Sequence, residues 1–354
     1  MNIFNRPRVF LIPFIMGAWV VLVTCRSQTF AQNSAAQTTT QTMTDSGRSP
    51  TPTLTTSDRK DSATSTTQAT PEAHPVIAAA GDIACDPSQI SPGNTRKCQM
   101  KAVSDLLVDR PLAAVLPLGD LQYADGRLDE FQRSYDPTWG RLNAISRPVP
   151  GNHEYHTPGA RGYFQYVGDL RQRFPEITGQ PEQGYYDYKL GEWHLIALNS
   201  NCEEVGGCDA ESPQGRWLKQ VLSDHASQCT IAYWHHPRFS SGPHGNNANL
   251  DDFWRMLYAA GTEVVLNGHD HVYERFAPQT PDGKEEGDRG IRQFVVGTGG
   301  KDLYPFQQIK PNSEVRQSDA YGVLELTLRP DGYDWQFRAI ASQSFQDAGQ
   351  GKCH

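Results

Sequence analysis

Several familiar signatures are missing from this sequence of 354 residues. No two of its seven cysteines stand in a C-x2-C spacing, which argues against a zinc-binding cysteine cluster. The formal net charge is -8 and no basic stripe interrupts the acidic balance. A dedicated nucleic-acid binder, whose affinity rests on phosphate neutralisation, is therefore not expected. A small phosphate ester remains admissible, because bound cations invert the local field. The glycine cluster Gly297-Thr298-Gly299-Gly300 lacks the Lys-Ser/Thr that completes a nucleotide loop, and reads as a strand-end turn. Large apolar residues are nearly absent from 32–74, a Thr/Ser/Gln/Ala stretch that cannot bury enough surface to offset its ordering entropy. It reads as a disordered linker.

What precedes that linker reads as a targeting segment. Arg6 and Arg8 lead into an uncharged apolar run, Val9 to Thr24, and Thr29-Phe30-Ala31 is a small-x-small cleavage signal. Cleavage of residues 1–31, a retained membrane anchor and lipid attachment at Cys25 are the three readings. Each exports the rest of the chain to the periplasm, the exterior or the outer face of a membrane. Setting Cys25 aside leaves six cysteines, an even number that suits an oxidising compartment. Proximity favours Cys85–Cys98 and Cys202–Cys208, leaving Cys229–Cys353, though other pairings stay open.

From residue 75 to the end the pattern is that of one layered α/β domain. Strands are expected at Val76–Ala80, Ala114–Leu118, Trp193–Leu198, Thr230–Trp234, Glu263–Leu266 and Phe294–Val296, with a hairpin of Gly322–Leu328 and Tyr333–Ala339 around Pro330-Asp331-Gly332. Helices are expected at Lys97–Val108, Gln214–His225 and Leu250–Ala260, the second started by Ser212-Pro213. Polar residues fall just past strand ends: Asp82, Asp120, His235 and His269. Ligands of open α/β sheets gather at such ends.

Five blocks carry the chemistry: Gly81-Asp82, Gly119-Asp120-Leu121-Gln122-Tyr123, Gly151-Asn152-His153-Glu154, Trp234-His235-His236-Pro237 and Gly268-His269-Asp270-His271 with its Val-Tyr-Glu-Arg extension. Oxygen and imidazole donors in this mixture suit Zn, Fe or Mn better than calcium.

The order GD, GDxxY, GNHE, H and GHxH resembles the calcineurin-like metallophosphoesterases, specifically the purple acid phosphatases, over about residues 75–310. The resemblance implies an α/β/β/α fold, a layered β-sandwich flanked by helices. It implies two metal ions, one held by Asp82, Tyr123 and His271, the other by Asn152, His235 and His269, with Asp120 between them. Ala84 stands where most of that superfamily has a ligating histidine, and Tyr123 where purple acid phosphatases place a tyrosinate on ferric iron; Zn, Mn or ferrous iron would fill the second position. His153 and His244 are similar to histidines that contact phosphate in that family. The function so implied is hydrolysis of small phosphate monoesters, with a phosphodiesterase or nucleotidase as the alternative.

The remaining polar residues read as structural. His236 would orient its neighbour, Asp270 would point away from the metals, and Glu154 and Arg275 would support the site loops. His156, His194 and His225 have no partner block. The loops 157–173 and 240–249 would wall the substrate pocket.

Overall fold

The computed structural model describes residues 74–90, 97–225 and 229–354. The expected leader, 1–31, and all of the linker but His74 lie outside the described residues.

Among the described residues, two mixed sheets carry the fold. In the smaller, β1 (Val76–Ala80) lies parallel to β2 (Ala114–Pro117) and antiparallel to β11 (Gly322–Arg329), followed outward by β12 (Gly332–Ala339) and β13 (Ala348–Lys352). The larger sheet has a parallel centre of β5 (Trp193–Ala197), β6 (Cys229–Tyr233), β7 (Val264–Asn267) and β9 (Arg292–Val296). Antiparallel strands extend it on both sides: β4 (Tyr185–Leu190) and β3 (Thr178–Gln180) beyond β5, β8 (Tyr273–Phe276) and β10 (Ser313–Gln317) beyond β9. Six α-helices accompany them, α1 (Met100–Asp105), α2 (Leu128–Glu130), α3 (Arg161–Val167), α4 (Leu170–Arg173), α5 (Pro213–Asp224) and α6 (Asp251–Ala259).

Period-two alternation sorts the larger sheet into two apolar faces. Ile231 and Tyr233 of β6 join the cluster shared with Ile77, Leu116, Leu324 and Leu326 of the smaller sheet. Ala232, followed by Trp234, joins Leu218 and Leu222 of α5 and Phe253, Trp254 and Leu257 of α6. One sheet thus packs on its partner through one face and on helices through the other, the layered sandwich the sequence implies.

The helix signals act as expected: Ser212 accepts from the Gly215 amide, and Pro213 opens α5. The first expected helix is shorter, because Gln99 and Leu106 flank only Met100–Asp105 as regular turns. The three disulfides are Cys85–Cys98, Cys202–Cys208 and Cys229–Cys353. Among the described residues no helix is long and apolar enough to cross a membrane.

Cys229–Cys353 spans 124 residues and fastens the segment after β13, an edge strand whose Gly349 and Gly351 contribute no apolar side chain. Replacing both cysteines by serine is expected to lower stability by about 2–5 kcal/mol. A urea denaturation midpoint unchanged from the parent would contradict this.

Candidate metal centre

The carboxyl ends of β1 and β2 lie beside those of β6 and β7, so the turns that follow these strands meet. Three of the residues there stand in the left-handed region: Asp82 (φ 60°), Asp120 (φ 47°) and His269 (φ 72°). Non-glycine residues avoid that region, at a cost of about 1–3 kcal/mol each, and such outliers cluster at functional sites. Glycine permits the approach. A β-carbon on Gly119, itself at φ 84°, would lie 2.5 Å from Nδ1 of His235. One on Gly151 would lie 2.2 Å from Oδ1 of Asp120.

All seven expected ligands converge. The Tyr123 hydroxyl is 2.9 Å from each of Asp82 Oδ1, Asp120 Oδ2 and His271 Nε2. His235 Nε2 lies 3.1 Å from Asn152 Oδ1, 3.2 Å from His269 Nδ1 and 3.4 Å from Asp120 Oδ2. The first group is the one assigned to one ion, the second is the one assigned to its neighbour, and Asp120 touches both.

The donor set fits metal ions on its own geometry. His235 spends Nδ1 on the Leu118 carbonyl at 2.8 Å, and His271 spends Nδ1 on the Asp302 carbonyl at 2.5 Å. Each ring then turns Nε2 inward, the arrangement that outer carbonyls impose on metal-binding imidazoles. The inward atoms are almost all lone-pair donors facing one another, which only cations or protons can reconcile. Burial alone would keep His235 neutral, but Asp120 and Asp82 outweigh it and push the imidazole up to about 9. A cation at that position would take the place of the proton. Burial, reinforced by Asp120 and Asp82, holds the Tyr123 phenol well above its ordinary value, while burial and the neighbouring His235 hold His269 well below its own.

Around these seven the supporting contacts are specific. Glu154 accepts from the amides of Gly151 at 2.7 Å and Gln122 at 3.1 Å, tying two ligand loops together. Arg275, also expected to support the site loops, instead reaches Asp347 and Glu314, because β8 carries it away from the site. Its neighbour Glu274 holds the loop at Ser241 through a 2.8 Å bond from that amide. His236 is closer to the centre than an orienting role requires: its ring lies 4.3 Å from that of His269, and its Nδ1 is 2.8 Å from Ser200 Oγ. Burial and the charge of His235 push His236 down to about 3.

His153 and His244 flank the centre on different sides. His153 directs Nδ1 to the Ala124 carbonyl at 2.5 Å and packs tilted against the Tyr123 ring, with centroids 4.2 Å apart. The His244 ring packs tilted against that of His269, with centroids 4.1 Å apart and Nδ1 2.8 Å from Oδ1 of the buried Asp270. That contact accounts for Asp270, which faces away from the ligands as expected. Tyr304, which no motif marks, stacks on His271 at 4.0 Å and 10°. Its only sequence signal is its place shortly after the glycine turn at 297–300.

Comparison with known proteins points to one family. The family model for calcineurin-like phosphoesterases matches residues 76–273. Purple acid phosphatase 15 of Arabidopsis thaliana is 28% identical over 204 residues, which make up 49% of this chain and 37% of that protein. Human acid phosphatase type 7 is 26% identical over 297 residues, 72% of this chain and 61% of its own length. A purple acid phosphatase from yellow lupin (Lupinus luteus) seeds shares the fold with a TM-score of 0.60 at 18% identity, over 78% of this chain and 53% of that one. The chain therefore spans less than two thirds of the length of each of these relatives.

Gly119→Ala should move the His235 imidazole and weaken metal retention about 10–100-fold, the range seen when support of a ligand is lost. Metal content after dialysis that equals the parent's would refute the close approach as a requirement.

Proposed function

Because the chain belongs to the calcineurin-like phosphoesterase family, we propose that it is an exported, metal-dependent phosphatase acting on phosphate monoesters. The observation that supports this most is the Tyr123 hydroxyl, equidistant from Asp82, Asp120 and His271 at 2.9 Å. A phenol placed there offers a hard ligand suited to ferric iron, with Zn, Mn or ferrous iron at the Asn152–His235–His269 position. When bound, the two ions neutralise phosphate charge and acidify a water. Three disulfides among the described residues support an oxidising destination.

The protein's own groups do the positioning. His153, fixed through Nδ1, keeps Nε2 on the side of Asp120, at 3.9 Å from Oδ2. It is placed to bind a phosphate oxygen. His244, fixed by Asp270 through Nδ1, keeps Nε2 to protonate the departing alcohol. Beside Asn152 opens a cavity of about 360 Å³ carrying Glu203, Glu204, Asn247 and Asn249, with no lysine or arginine in its lining. Such a wall suits a neutral or cationic alcohol better than a polyanionic one, which favours simple monoesters over nucleotides. On the monoester reading a simple aryl phosphate should turn over faster than its bis-aryl diester. The reverse order would support the phosphodiesterase alternative. Tyr123→Phe is expected to abolish the visible charge-transfer colour of the iron-loaded protein, and a colourless, fully active parent without iron would refute the ferric assignment.

The hydrogen bond from His244 to Asp270 raises the imidazole above its ordinary value against the effect of burial. A raised imidazole stays charged to higher pH, and the charge is lost as pH rises through the raised value. Asp270→Asn should therefore shift the alkaline limb of kcat to lower pH. His244→Ala should remove that limb and lower kcat about 100-fold or more on esters with poor leaving groups. An unmoved limb in both variants would exclude His244 as the proton donor.

A further inference from the structure

At the other end of the larger sheet, two histidines and one aspartate converge with no part in the centre described above. His194 lies on β5, Asp187 on the neighbouring antiparallel β4, and His225 directly follows α5. The alternation of β5 explains the meeting. Trp193, Leu195 and Ala197 face the smaller sheet, whereas Ile196 and Leu198 face α5, so His194 shares the α5 side. His194 pairs in register with Thr230 of β6, five residues before His235 along the same direction. At about 3.3 Å per residue the two clusters are separated by roughly 16 Å.

The local contacts are those of a ligand set. One donor atom from each of the three residues lies within 4.8 Å of the others. His194 Nε2 is 2.9 Å from Asp187 Oδ2, and His225 Nε2 is 4.0 Å from the same oxygen, too far for a hydrogen bond. The two imidazoles meet edge to face with centroids 4.4 Å apart. Thr178 donates to the other oxygen, Oδ1, and so turns Oδ2 toward the rings. His194 is fully buried and its Nδ1 has no hydrogen-bond partner. Toward Asp187 the ring presents Nε2, the nitrogen that would bind an ion held between the three residues.

We propose that Asp187, His194 and His225 bind a first-row divalent cation of the zinc type, independently of the phosphoesterase centre. Two imidazole nitrogens and one carboxylate oxygen are a borderline donor set that zinc takes at about 2.0–2.2 Å. An ion between the three would close the gap at His225 and take the place of the proton shared by His194 Nε2 and Asp187 Oδ2. Only His225 is partly exposed, with a quarter of its side chain accessible, and it provides the way in. The ion would clamp the end of α5 to β4 and β5.

The test uses the full chain, stripped with a chelator and reloaded with zinc alone. Elemental analysis after gel filtration should find one ion fewer per chain in His225→Ala than in the parent, with phosphoester turnover unchanged. Asp120→Asn, which damages the other centre, should retain the ion, so failure of the proposed function and failure of this site are told apart. Diethyl pyrocarbonate labelling of the unaltered protein, mapped by mass spectrometry, should show His225 protected by zinc. Equal zinc content in parent and His225→Ala, or labelling of His225 indifferent to zinc, would overturn the proposal.

Discussion

Two carboxylates, those of Asp82 and Asp120, lie almost wholly out of solvent with a single phenol hydroxyl between them. Among the described residues no lysine or arginine forms an ion pair with either. Burying charge without a partner costs several kcal/mol or more, so something else must balance it. Part of the balance is fixed: the His269 amide donates to Asp82 at 2.8 Å, and the His153 amide to Asp120 at 2.9 Å. Part is adjustable, in His235, whose imidazole these carboxylates push toward the charged form and whose proton a bound cation would replace. Bound cations would complete it. The surrounding side chains follow from that requirement, since Tyr123, Asn152 and the imidazoles turned toward the pair offer lone pairs able to share a positive ion.

The fold answers the requirement by placing strand ends rather than whole strands at the centre. Two sheets packed face to face bring the turns after β1 and β2 against those after β6 and β7. The turns then tighten into the left-handed region so that the backbone amides, not only the side chains, reach the carboxylates. That geometry is costly, and the surroundings hold it in place. Cys85–Cys98 fastens the chain just past Asp82, and Cys202–Cys208 fastens the loop whose Ser200 holds His236. Glu154, pushed up to about 8 by burial and by Asp120, bonds two ligand loops through their amides.

Much of this was legible in the sequence because the decisive residues come in short local blocks. Asp82, Asp120 and His269 each follow an apolar strand and a glycine, so strand-end position and backbone freedom could be read together. The central strands were equally plain, being continuous apolar runs buried on both faces. β13 and β10 were not, because edge strands such as Ala348–Lys352 pair on one side only and need no apolar pattern. β4, with its run Tyr185-Tyr186-Asp187-Tyr188, hides its alternation behind aromatic residues and a charge that is buried. Tyr304 and the Asp187–His194–His225 group stayed invisible for a different reason. Their neighbours in space are distant in the chain, and single histidines without a block resemble ordinary surface residues until the register of β4, β5 and α5 is known.

Asp270 shows how the substrate side is tied to the metal side. It sits between two ligands, and alternation along His269-Asp270-His271 turns it to the opposite side. Had it faced inward, a third carboxylate would have joined Asp82 and Asp120, raising the charge to be balanced. Facing outward it is still fully buried, and it accepts from the Ser240 hydroxyl, the His244 amide and the His244 ring. The loop at 240–244 is thereby anchored to the same turn that carries His269 and His271. A displacement of that turn would move His269, His271 and His244 together, so the spacing between those imidazoles is set by one residue's carboxylate rather than by the loop's own conformation.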